Sequence, residues 1–201
     1  MFKRISSTLI LSVLIALPAS AQSAKDLFCR GAIELHDNRH GEAITSFSQA
    51  IRINPRFSNA YFYRGIAHHS KNRYTEAIAN YNQALSIGSN RPATILDNRA
   101  EALAALGDYK QALEDWKLAA KYDPSDVGIQ HSMVYAFLKL GSRKSAIAIL
   151  EKLTERYFRQ GNNQLYLMTR DELQKVRSGK MPRSRIGGFS AGGSAFEQEC
   201  P

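Results

Sequence analysis

Apolar positions along the chain recur at helical spacing, and that short period is nested in a longer one. Ala43, Ala77, Ala112 and Ala146 return every 34 or 35 residues. In the first three copies an aromatic follows four residues later (Phe47, Tyr81, Trp116), and an alanine comes three residues after that (Ala50, Ala84, Ala119). Twelve residues before the marker alanine sits Gly31, Gly65 or Ala100, and four before that Leu27, Tyr61 or Leu96. Self-similarity at such a period means stacked supersecondary units, none of which can bury its apolar face alone. The small residue lets the two helices of a hairpin approach closely, while the aromatic fills the space beside it.

Punctuation places the helices. Paired segments are predicted near residues 25–37 and 41–53, 59–71 and 74–87, 93–106 and 109–122, then 126–140 and 143–158. Gly107-Asp108 and Gly141-Ser142 mark hairpin turns. Asn54-Pro55 and Asp123-Pro124 mark passages between units, because the residue before proline is pushed out of helical geometry. A further amphipathic stretch, residues 163–177, carries Leu165, Met168, Leu173 and Val176 and is expected to cap the open end of the stack.

These residues resemble the tetratricopeptide repeat family. Units at 24–57, 58–91 and 93–126 keep the pattern, and one at 127–160 is degenerate, with Val134 and Leu150 in place of the small residue and the aromatic. The resemblance implies an all-α, right-handed solenoid of three clear hairpins plus one degenerate hairpin over 22–160, followed by a capping helix at 161–177. It also implies a ligand-binding concave face built from the first helix of each pair. Family positions carried onto this chain give Lys25, Phe28, Leu35 and His36; Asn59, Phe62, Ile66 and His69; Asp97 and Glu101; and His131, Tyr135 and Lys139. Such a groove suits an extended peptide or a partner helix. Cytosolic co-chaperone members of the family grip a partner's terminal carboxylate with Lys, Asn and Arg. Phe28, Ala32, Tyr63, Thr94 and Asn98 stand at those positions here, so that clamp does not carry over.

The flanks have a different character. Lys3 and Arg4 precede an apolar run from Leu9 to Leu17, and Ala19-Ser20-Ala21 forms a small-x-small exit, which together read as a secretory signal peptide over residues 1–21. The expectation is an exported protein, periplasmic or secreted. Its removal takes two cations from a formal net charge of +9, leaving a basic chain whose positive balance either points to an acidic protein partner or anionic envelope material rather than nucleic acid, or serves solubility alone. Residues 178–201 turn to Gly, Ser and Arg and read as a flexible basic tail. Lys175, Arg177, Lys180, Arg183 and Arg185 form a candidate anion-binding cluster there, the basis of an alternative reading as an envelope-associated structural protein. Cys29 and Cys200 are the two cysteines. Export favours a disulfide between them, and two separate thiols remain the alternative.

Chemistry is sparse. His36 and His40 flank a predicted turn, and adjacent His68 and His69 point in different directions. The chain has no HExxH, no glycine-rich phosphate loop and no nucleophile motif. No catalytic residue, metal or cofactor is expected, and the reading is a protein-interaction scaffold.

Overall fold

The structure, a computed structural model, describes residues 23–181 and Cys200. The expected signal peptide and most of the tail, including Arg183 and Arg185, lie outside the described residues. Among those described the chain is all α: α1 (Ala24–His36), α2 (His40–Ile53), α3 (Ser58–Ser70), α4 (Tyr74–Ile87), α5 (Pro92–Ala105), α6 (Tyr109–Tyr122), α7 (Val127–Lys139), α8 (Arg143–Arg159) and α9 (Asn163–Arg177). Helix ends fall within one residue of those read from punctuation. Helix α5, for example, begins at Pro92, whose missing N–H costs nothing in a first turn.

The turn inside each hairpin repeats with the period of the sequence. Asn38 (φ 61°), Asn72 (φ 58°), Gly107 (φ 86°) and Gly141 (φ 74°) each adopt the left-handed conformation one residue past the C-cap of the helix. The next N–H then reaches back five residues: Arg39 to Glu34 O, Arg73 to His68 O, Asp108 to Leu103 O and Ser142 to Phe137 O, at 2.8–3.0 Å. These bonds satisfy helix-terminal carbonyls that would otherwise lack partners.

Packing inside a hairpin depends on the small residue. A Cβ on Gly31 would stand 2.8 Å from the Phe47 ring, and one on Gly65 would stand 2.6 Å from the ring of Tyr81. Phe28, Phe47, Tyr63, Phe62 and Tyr81 run as a continuous aromatic seam, with ring centroids 5.2–6.1 Å apart. Trp116 centres the next cluster, with no exposed surface.

A polar ladder runs beside this core. Arg30, Arg64 and Arg99 occur with the repeat period, and the Nε–H of each donates to the residue sixteen further on: Ser46 at 2.9 Å, Asn80 at 2.7 Å and Asp115 at 2.7 Å. The free arm of Arg64 reaches Ser48, and that of Arg99 reaches Asn82, both on the preceding unit. One side chain thus joins three helices. In the fourth unit Met133 and Ile149 stand at the two ladder positions, both apolar and partly buried. There the ladder stops and packing changes. Val134, Ala146 and Leu150 close against Leu173 and Val176 of α9, and α8 packs more extensively on α9 than on α7.

Cys200 is bonded to Cys29 on α1, with Cα atoms 5.4 Å apart, and packs beside the first core cluster. The ends of a loop with a sequence separation of 171 residues are thereby joined.

Candidate functional site

Helix α3 touches both α1 and α5, so the first helices of successive units form one row, the inner wall of the stack. The expected ligand-facing residues divide by depth along it. Lys25 and His36 are exposed at the first end, and Leu35, Asn59 and His69 are partly buried. Phe28 and Ile66 have no exposed surface, and Phe62 has 2%. These three correct the sequence reading: they are core residues and not accessible anchors. The reason is the aromatic seam, since Phe28 meets Phe47, Phe57 and Tyr63, and Phe62 meets Tyr63 and Tyr81.

Midway along the row two carboxyls share a face of α5. Asp97 and Glu101 are one turn apart, so their side chains are neighbours. Asp97 Oδ1 accepts the indole N–H of Trp116 at 2.8 Å. Burial nevertheless raises its pKa to about 6, and the nearby Asp126 adds to the rise. Glu101 is pushed up to about 7 by burial and then by the charge of Asp97. The phenol of Tyr81 is pushed well above its ordinary range by burial and by the negative field of Glu101. Its hydroxyl is buried without a hydrogen-bond partner among the described residues, as is Asn98 Oδ1.

At the far end lies a cleft of about 390 Å³ lined by residues of α7, α8 and α9, among them His131, Tyr135, Tyr157, Leu165, Met168 and Glu172. His131 Nδ1 stands 3.1 Å from Glu172 Oε2, which ties the two walls together. The rings of Tyr109 and Tyr135 pack edge to face at 6.0 Å, with the Lys139 ammonium 5.8 and 5.3 Å from their centroids. Sequence reasoning placed His131, Tyr135 and Lys139 here but treated α9 only as a cap. Leu173 and Val176 do cap, whereas Leu165 and Met168, 37% and 57% exposed, face the cleft instead. The amphipathic period gave those four residues one role because it cannot separate two adjoining strips of one helix.

The basic cluster is less free than its composition suggested. Lys175 is ion-paired with Asp171, and Arg177 with Glu151 at 2.6 Å, because α9 runs through Arg177 and presents both to neighbouring carboxylates. Lys180 is exposed beyond the helix. No group of three His, Cys, Asp or Glu side chains among the described residues is arranged to hold a metal ion. No helix among them is long and apolar enough to cross a membrane.

Comparison with known proteins agrees with this geometry. Sequence models of the tetratricopeptide repeat match residues 31–92 and 93–126, so this stretch of the chain is built of tetratricopeptide repeats. No curated protein matches it. Solved structures share the solenoid fold. YrrB, described as a TPR protein with an unusual peptide-binding site, aligns with TM-score 0.63 and 17% identity over 78% of this chain and 87% of its own. The first TPR of Spaghetti (RPAP3), bound to the HSP90 peptide SRMEEVD, aligns with TM-score 0.57 and 20% identity over 60% and 95%. A tetratricopeptide repeat protein from Parabacteroides merdae gives TM-score 0.67 and 22% identity over 79% of this chain and 61% of that one.

Proposed function

We propose that the protein is an exported interaction scaffold that holds an extended segment of a partner protein along its inner wall. The observation that carries this reading is the cleft between α7 and α9. An aromatic side chain, Tyr135, and two exposed apolar ones, Leu165 and Met168, converge there beside the polar pair of His131 and Glu172. Apolar anchors rimmed by a few polar groups are how grooves take peptides, the anchors supplying area and the rim setting register. The peptide-binding descriptions of YrrB and of the RPAP3 domain favour the same class of ligand. Export is favoured by the Cys29–Cys200 bond, since disulfides persist in oxidising compartments.

Selection of displayed extended peptides on the full chain tests the reading. Binders recovered should lose about tenfold or more in affinity, roughly 1.4 kcal/mol, against Tyr135→Ala or Met168→Ser. Recovery of no binder, or binding indifferent to both substitutions, would contradict it.

A further inference from the structure

We propose that Asp97 and Glu101 form a receptor for a guanidinium group, so that the segment held along the inner wall carries an arginine at this point. The proposal deepens the peptide-groove reading and rests on it. Its first support is a contrast among buried carboxylates. Glu34, Asp115 and Glu101 are each 8% exposed. Glu34 accepts the Ser46 hydroxyl at 2.6 Å and lies beside Arg30, and Asp115 is clasped by Arg99. Glu101 has neither a cation nor a donor among the described residues.

The second support comes from another helix. The Tyr81 hydroxyl, on α4, is fully buried with no hydrogen-bond partner among the described residues, and the charge acting on it is that of Glu101. A buried hydroxyl and a buried carboxylate, near enough for the charge of one to act on the other and both without a partner among the described residues, are costly, and each is satisfied by the same kind of visitor, a cation carrying several N–H donors. Asp97 completes the geometry. It is partly exposed, its Oδ1 is occupied by the Trp116 indole, and Oδ2 remains to accept.

Guanidinium fits better than the alternatives. It is planar, presents up to five donors in a fork that matches paired carboxyl oxygens, and is less strongly hydrated than ammonium. Ca²⁺ takes about six to eight oxygen ligands, more than two carboxyls and a phenol supply. The other charged or titratable groups acting on the pair, Asp126 and Tyr81, add no positive charge.

The chain contains a single tryptophan, and its indole N–H is bonded to Asp97, so the site carries its own reporter. The test titrates the ¹⁵N-labelled full chain with N-acetyl-L-arginine amide and, separately, with the uncharged N-acetyl-L-citrulline amide, following the Trp116 indole resonance. The expected result is a saturable shift with the arginine probe at about pH 8, where both carboxyls are ionised, and its loss at about pH 5, where both are protonated. Citrulline should give no such shift, and Glu101→Gln should weaken the arginine response by about tenfold or more while the helical spectrum stays native. A response shared by citrulline, a response unchanged in Glu101→Gln, or no saturable response overturns the proposal. Binding of selected peptides to the Tyr135 and Met168 cleft, measured in parallel, separates the two claims. If it persists without an arginine effect, the receptor falls and the groove stands.

Discussion

Arg99 clasps Asp115 through two parallel hydrogen bonds, Nε to Oδ2 and Nη2 to Oδ1, each 2.7 Å, while Nη1 reaches Asn82 of the preceding unit at 2.6 Å. The pair is mostly buried, with side-chain exposures of 22% and 11%. Breaking it therefore leaves a charge without its partner in a place water reaches poorly. Asp115→Ala should destabilise by about 3 kcal/mol. The fourth unit supplies the control, because Met133 and Ile149 fill the same two positions without charge. Arg99→Met with Asp115→Ile should recover most of the loss, so a double-mutant cycle built from these two substitutions, singly and together, should show strong coupling in denaturant melts. Additive losses would show that the ladder acts as separate residues.

Gly65→Ala tests the close approach inside the second hairpin. The added Cβ lands 2.6 Å from the Tyr81 ring, which is itself fully buried. Overpacking of this kind costs about 1–3 kcal/mol. The same change at Gly41, where a Cβ meets nothing within 4 Å, should be neutral or mildly stabilising. Equal thermal shifts for the two variants would contradict the packing argument.

The carboxyl pair gives stability an unusual slope with pH. Asp97 and Glu101 have folded pKa values of about 6 and about 7, above their unfolded values of 3.8 and 4.5. Between those limits the folded state holds more protons than the unfolded one, so stability falls as pH rises from about 4 to 7. Glu101→Gln removes the cost of ionising a buried acid and should stabilise the protein by about 1–3 kcal/mol at pH 8, with little effect at pH 4. Melting curves at the two pH values check this. A variant less stable at pH 8 would indicate a partner for Glu101 that the account lacks.

Cys29→Ser should lower stability by up to about 5 kcal/mol, the chain-entropy value for so long a loop. Wild-type protein should match the variant once reduced. Coincident melts of oxidised and reduced wild type would mean that the bond constrains little.

Much of the fold was legible in the sequence because its cues are local and periodic. Gly31 against Phe47 and Gly65 against Tyr81 could be paired from spacing alone, and the turn residues Gly107 and Gly141 marked their hairpins. The arginine ladder was legible in principle, since Arg30, Arg64 and Arg99 share the period, but exposed-looking charges carry no hydrophobic signal. The site was harder to read. Family positions set Phe28 and Phe62 on the inner face, yet position on a helix does not reveal how far a bulky ring sinks into the seam between units. The roles of Leu165 and Met168 depended on how α9 docks against α7 and α8, a tertiary fact with no period of its own.

The central claim is that partners bind the inner wall, and site-specific photo-crosslinking in intact cells tests it most directly. A benzophenone side chain replaces Tyr135 or His131 on α7 in one set, and Glu114 or Lys117 on α6, both exposed, in the other. The account predicts discrete adducts from Tyr135 and His131 and none from Glu114 and Lys117. Adducts confined to Glu114 and Lys117 would contradict it.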